Sequence, residues 1–198
     1  MHFQIMAFAV LLFFYGAYFI KMLSQRRKGI ITDQIGKGKH GIEKIIEISM
    51  KIITVIIPIG QIISIVLKVS FFPHYIRYIG FALALIGTCV FILSILQMAD
   101  SWRAGVSKNE KTALVTTGVY AFSRNPAFLG FDLVYIGILL MFFNPILWIL
   151  SFLGAFIFHL QIVNVEEEFL LSSFGQEYLN YKKAVNRYIG RRPKKQLY

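Results

Sequence analysis

A single cysteine, Cys89, stands in the whole chain of 198 residues, so no intrachain disulfide can form and no cysteine-based metal site exists. Acidic residues are scarce too, with 10 Asp and Glu against 21 Lys and Arg and a formal net charge of +11. On a soluble surface that imbalance would suggest nucleic acid. Here the cations are confined to short segments between long apolar runs, which argues against nucleic acid and makes anionic lipid headgroups the expected partner. No internal repeat is visible. The first apolar run lacks an Ala-x-Ala-like pattern after it, and its cations follow it rather than precede it. It therefore reads as a retained span and not as a signal peptide.

What the chain has in abundance is hydrocarbon. Apolar residues make up 57% of it, beyond the roughly 45–50% of soluble domains, so its solvent must be largely lipid. Crossing about 30 Å of hydrocarbon takes roughly 20 residues of helix. Five runs of about that length occur, at 3–20, 48–67, 76–98, 127–143 and 146–165. The expected fold is an all-α integral membrane protein of about five transmembrane helices forming one domain, 1–198. Residues 1–98 form a three-span scaffold with a basic loop at 21–44, and residues 99–198 carry the site. Asn144-Pro145 is the only break between the last two spans, a turn signal that predicts an antiparallel helical hairpin.

Lys and Arg number seven in residues 21–44, four in 99–126 and seven from 166 onward, but only two in 68–77. Five spans place the three rich segments on one side, which the positive-inside rule makes cytoplasmic, with the amino terminus outside and the carboxyl terminus in the cytoplasm. Glu47 and Lys51, four apart near the start of the second span, are expected to pair on one helix face. Gly36-Lys37-Gly38-Lys39-His40-Gly41 matches the GxGxxG string of dinucleotide folds. It follows a membrane span instead of lying between a strand and a helix, so it reads as a flexible basic loop.

Two polar blocks flank the expected hairpin. Residues 114–130 run Leu-Val-Thr-Thr-Gly-Val-Tyr-Ala-Phe-Ser-Arg-Asn-Pro-Ala-Phe-Leu-Gly. Taken alone, they have a plain structural reading, with Asn125 as helix N-cap, Pro126 at the first helical position and Arg124 reaching phosphate. The second block begins with Glu166-Glu167-Glu168 and continues through Leu170, Phe174-Gly175, Glu177-Tyr178 and Tyr181. Three adjacent acids at a helix C-terminus oppose the helix dipole and repel one another, which a cationic ligand would explain better than a solvated end.

Together these blocks resemble the isoprenylcysteine carboxyl methyltransferases and their prokaryotic relatives, a membrane superfamily that includes phospholipid N-methyltransferases. The family pattern runs Leu-Val-x-x-Gly-x-Tyr, Arg-His-Pro-x-Tyr, a helical hairpin, then Glu-Glu-x-x-Leu-x-x-x-Phe-Gly-x-x-Tyr-x-x-Tyr. The match spans residues 102–187 in order and spacing. The resemblance implies S-adenosylmethionine bound in a cytoplasm-facing pocket outside any Rossmann fold. That ligand presents a carboxylate, an ammonium, a sulfonium and an adenine, and so wants a cation, an acid, aromatic faces and an apolar slot. On this reading Arg124 takes the carboxylate and Glu166 or Glu167 the ammonium. Tyr120 and Phe128 face the sulfonium or ring, Leu114 and Val115 line the slot, and Gly118, Asn125 and Pro126 complete the first block. Trp102 matches a tryptophan often found upstream, or else serves as an interfacial anchor.

Three positions depart from the pattern. The family's histidine is Asn125, its second tyrosine is Phe128, and the arginine expected four residues before the acidic pair is Ile162. An arginine there suits a substrate carboxylate, so its loss weighs against a carboxylate acceptor. His159, Ile162 and Glu166 share one face at α-helical spacing, which makes His159 a candidate base toward an amine, thiol or hydroxyl acceptor, or else a histidine hydrogen-bonded inside the bundle. Asp132 lies in the fourth span and should meet the pocket or a partner, or stay protonated. The expected function is S-adenosylmethionine-dependent methylation of a lipophilic acceptor that enters from the bilayer. The alternatives are a phospholipid N-methyltransferase and a non-catalytic membrane binding protein of the same fold. The segment from Glu166 is expected to be an amphipathic helix serving as an interfacial lid, held to anionic lipid by Arg191, Arg192, Lys194 and Lys195.

Overall fold

The computed structural model describes residues 1–106 and 112–191. Arg192, Lys194 and Lys195 lie outside the described residues. The chain folds as α1 (His2–Arg27), α2 (Gly41–Val66), α3 (His74–Gln97), α4 (Pro126–Met141), α5 (Pro145–Gln161) and α6 (Glu167–Ala184). Short 3-10 turns occur at Ala99–Ser101 and Gly118–Ala121, and a π turn at Ile162–Glu166 joins α5 to α6 without a break. No β-strand occurs among the described residues, only isolated bridges at Asp33–Ala104 and Val185–Arg191. Among the described residues, four helical stretches are long and apolar enough to cross a membrane, and α4 is a shorter apolar helix. The protein is thus an integral, multi-pass membrane protein.

Glycine sets how closely α3 and α4 approach. A Cβ built on Gly80 would lie 2.5 Å from the Gly137 carbonyl oxygen, and one on Gly87 would lie 2.7 Å from that of Gly130. Gly80, Ala84 and Gly87 form one small-residue stripe on α3, and the backbone of α4 rests directly in it. Small residues serve membrane helices this way, because lipid supplies no hydrophobic drive toward association and close packing must do so. α5 lies against α2 instead, where Gly154 faces Ile57 and Gly60 faces Leu150. The turn between α4 and α5 is built as the Asn144-Pro145 dipeptide leads one to expect. The Asn144 side chain accepts from the Leu147 N–H at 2.9 Å, Pro145 occupies the first helical position, and the Asn144 amide donates to Ser64 Oγ at 2.7 Å. At the same end of the bundle Arg77 donates to the Met141 carbonyl at 2.8 Å, satisfying one of α4's last acceptors.

Two sequence expectations give way at the opposite end. Glu47 and Lys51 do not pair: Lys51 Nζ bonds Asp33 Oδ2 at 2.6 Å, while Glu47 pairs with Lys39. The glycine-rich basic loop is likewise structured, because Lys39 is buried and the Gly36 N–H donates to Glu47. A span-entry carboxylate that is removed from water needs a cation and several donors, and the loop supplies them.

Candidate active site

The segment from Gly118 to Asn125 is held from two sides. Gly118 takes a φ of +60°, and a Cβ there would lie 2.2 Å from the Gln97 amide, whose oxygen accepts from the Val119 N–H at 2.9 Å. From the other side α6 and the chain beyond it bind the same turn. Tyr181 donates to the Tyr120 carbonyl at 2.7 Å, the Arg124 N–H to the Asn186 carbonyl at 3.1 Å, and the Gly190 N–H to the Phe122 carbonyl at 2.7 Å. Asn125 stands at the N-cap of α4, but its side chain makes no cap bond; its amide donates to the Arg187 carbonyl at 3.1 Å. Tyr178, Tyr181 and Val185 form a buried apolar cluster with Leu114, Leu170 and Phe174 packed against it. The carboxyl-terminal segment is therefore docked onto the first sequence block through its aromatic residues. Gly175, at φ 49° and ψ −120°, bends α6 along the way.

The acidic triplet divides into three environments. Glu167 is buried and receives Arg124 at 3.0 Å, Arg187 at 2.7 Å and Lys182 at 2.8 Å. Burial pushes its carboxyl up, but the hydrogen bonds from Arg187 and Lys182 and the charge of Arg124 outweigh that and hold it at about 2, well below its ordinary 4.5. Glu168 is exposed. Glu166 is half-buried in the wall of a cavity and accepts from Gln161 Nε2 at 3.3 Å, with no ion pair among the described residues. Arg124, also in the cavity wall, gives one terminal nitrogen to Tyr178 at 2.7 Å and the other to Glu167, leaving its buried Nε–H without a partner among the described residues.

That cavity encloses about 410 Å³, within the roughly 300–1,000 Å³ common for small-molecule sites. Of the residues singled out in the sequence, Leu114, Val115, Tyr120, Arg124, Asn125, Pro126, Phe128, Glu166 and Trp102 line it. Gly118, Asp132, His159, Ile162 and Glu167 are not part of its lining. Trp102 is buried against Tyr18 and Phe91, so it is a core and cavity residue and not an interfacial anchor. Ile162 is fully buried, and His159 bonds the Tyr188 hydroxyl at 2.5 Å. The π turn removes the basis for grouping His159 with Glu166, because its wider winding rotates everything after Ile162 relative to an α-helix. Asp132 does not line the cavity, and its buried Oδ1 has no hydrogen-bond partner among the described residues.

The sequence reading missed the scaffold's share of this site. Tyr15, Tyr18 and Phe19 of α1, Met50, Lys51 and Thr54 of α2, and Asp33 and Ile35 between them all line the cavity. Residues 1–98 are therefore wall as well as frame. Apolar residues in a membrane helix carry no mark of which face meets lipid and which meets a ligand, so periodicity offered no signal for most of them. The Asp33 and Lys51 charges beside a span were the available clue.

The phospholipid methyltransferase family model matches residues 75–177, just over half of the chain, and the chain belongs to that family. It is 30% identical over 126 residues to the protein-S-isoprenylcysteine O-methyltransferase of Tribolium castaneum, covering 60% of this chain and 45% of that protein. The mouse protein of the same name is 40% identical over 78 residues, covering 39% of this chain and 28% of the relative. The matches thus span less than half of these relatives' length. The fold is similar to the solved structure of the eukaryotic intramembrane Ras methyltransferase, isoprenylcysteine carboxyl methyltransferase, with a TM-score of 0.63 at 24% identity, covering 90% of this chain and 63% of that one.

Proposed function

We propose that this protein is an S-adenosylmethionine-dependent methyltransferase acting on a lipophilic acceptor at the cytoplasmic membrane face; the names of its relatives support methyl transfer to a prenylated acceptor. One observation carries the reading: among the described residues, the cavity wall holds a carboxylate without a cation, Glu166, and a buried guanidinium N–H without an acceptor, on Arg124. Unmet groups of opposite charge in one cavity suit a zwitterion, whose binding would satisfy both. Glu166 would receive the ammonium and Arg124 Nε–H the carboxylate, with Glu167 fixing the guanidinium from behind. Tyr120 and Phe128 offer ring faces, and Leu114 and Val115 an apolar slot. Bound there, the cofactor supplies an electrophilic methyl group. The chain's own task is to align the acceptor in line with that methyl, exclude water and hold both reactants in place. The residues of α1 and α2 in the cavity wall, Tyr15, Phe19 and Met50 among them, give an apolar surface suited to a lipid-soluble acceptor.

Ile162 favours a second acceptor class. Where the family pattern has arginine this chain places a buried isoleucine outside the cavity, so an amine acceptor, as in phospholipid N-methylation, competes with a prenylcysteine carboxylate. The basic segments would face the cytoplasm, the carboxyl terminus included. Titration of the detergent-solubilised protein with S-adenosylmethionine tests the cofactor assignment: saturable binding lost in Glu166→Gln supports it, and absence of binding to the native chain refutes it. Labelled methyl transfer to prenylcysteine analogues and to phospholipid amines then separates the two acceptors. Binding without transfer to any lipid would favour a non-catalytic binding protein.

A further inference from the structure

We infer that Lys39 and Glu47 form a charge-cancelling pair that leaves Glu166 free for a cationic ligand, with Glu47 as a positioning residue for the site. This rests on the assignment of Glu166 to the ammonium. Both residues lie outside the segment that the family model matches.

The geometry is a short chain of contacts. Lys39 and Glu47 have side chains only 2% and 0% exposed, and their charged ends are in direct contact. Glu47 Oε1 also accepts from Gln161 Nε2 at 3.4 Å, and the same amide nitrogen donates to Glu166 Oε1 at 3.3 Å. One amide thus bridges two carboxylates, and the buried Lys39 ammonium meets the same Glu47 oxygen as that amide. Burial pushes the Glu166 carboxyl up, the Gln161 hydrogen bond opposes that, and Lys39 and Glu47 act on it in opposite senses, the cation favouring its ionised form and the anion disfavouring it. A buried ammonium needs a counter-charge. Glu47 supplies it, and the pair presents no net charge to the cavity. Without Glu47's charge, Lys39 would turn to Glu166 and occupy the carboxylate that the ligand requires. Glu43 and Glu168 share a small cleft with Lys39 and are the competing acceptors.

A charge cycle tests this, read as S-adenosylmethionine affinity beside that of 5′-methylthioadenosine, which keeps the nucleoside and lacks the amino-acid group. Glu47→Gln should weaken S-adenosylmethionine roughly tenfold or more, the size of one charge-assisted bond, and leave 5′-methylthioadenosine within about twofold. Lys39→Met should bind S-adenosylmethionine no more weakly than the native chain, since it adds net negative charge beside the ammonium. The double variant should return to native affinity. A purely structural pair predicts the contrary: both ligands weaken in each single variant, and the double variant is not restored. Native affinity in Glu47→Gln would mean that Glu43 or Glu168 takes the lysine, and would overturn the inference. If Glu47→Gln does not fold, the Lys39→Met and double variants carry the test, and a loss in either refutes it. Failure of the underlying site assignment is separate, because it appears as no binding by the native chain or as no loss in Glu166→Gln.

Discussion

Adjacent glutamates with opposite duties make the sharpest test of the site. Glu166→Gln removes a carboxylate that no cation among the described residues pairs with, so the fold should barely change. If Glu166 receives the ammonium as proposed, its loss removes one charge-assisted hydrogen bond, roughly 1.5–3 kcal/mol, or about a tenfold to hundredfold loss of S-adenosylmethionine affinity. Glu167→Gln removes the anion at the centre of three cations. Arg124, 3% exposed, is left buried without its partner, and breaking such a pair costs about 3–5 kcal/mol. The Lys182 and Arg187 contacts, 42% and 31% exposed at the cation, add less because water screens them. At about 2–4 °C per kcal/mol for a chain of this size, the melting temperature should fall by roughly 6–20 °C. Thermal unfolding in detergent and cofactor titration, run on both variants, give four numbers. The expected pattern is affinity lost without stability in Glu166→Gln, and stability lost in Glu167→Gln. Equal melting temperatures with equal loss of affinity would refute the division and restore the acidic pair as one ligand site.

The ion cluster also sets an acid limit. Glu167's folded pKa of about 2 lies below its ordinary 4.5, so its contribution is complete above 4.5 and drains away as pH falls toward 2. Melting followed over that range should show a decline that Glu167→Gln lacks. Gly137→Ala should separate α3 from α4, since the new methyl would lie 2.5 Å from the Gly80 carbonyl oxygen; a loss of about 1–3 kcal/mol is expected, and unchanged unfolding would contradict the close approach. The orientation is tested in a Cys89→Ala background with Lys37→Cys and Phe71→Cys, exposed positions at opposite ends of the bundle. Impermeant thiol reagent on intact cells should label position 71 and spare position 37, and the reverse would invert the topology.

The helices were legible because hydrocarbon thickness and apolar run length constrain one another, and every expected span has a helix over it. Asn144-Pro145 likewise marked a turn whose cap and first residue could be read from the dipeptide. The pairing of spans was not legible: α4 rests on α3 through Gly80, Gly87, Gly130 and Gly137, and glycines in apolar runs look alike whichever neighbour they meet. Asn125 carried the signature of a cap, yet tertiary demand from the Arg187 carbonyl redirected its side chain. The two polar blocks contribute to one cavity, as the family resemblance implied. The face shared by His159 and Glu166 failed as an inference because a π turn has no periodic signature and changes every later residue's direction. Glu47 was given the wrong partner for a related reason. Helical spacing offered Lys51, but burial favoured Lys39 from a loop that composition alone had made look flexible.

Methyl transfer itself tests the central claim most directly. The purified native protein, reconstituted in vesicles, would be incubated with S-adenosylmethionine labelled in its methyl group, together with prenylcysteine analogues or phospholipid amines, and the organic extract counted. The account predicts label in a lipid-soluble product, with Glu166→Gln strongly impaired at low cofactor concentration. Saturable cofactor binding with no label in any extracted lipid would contradict it.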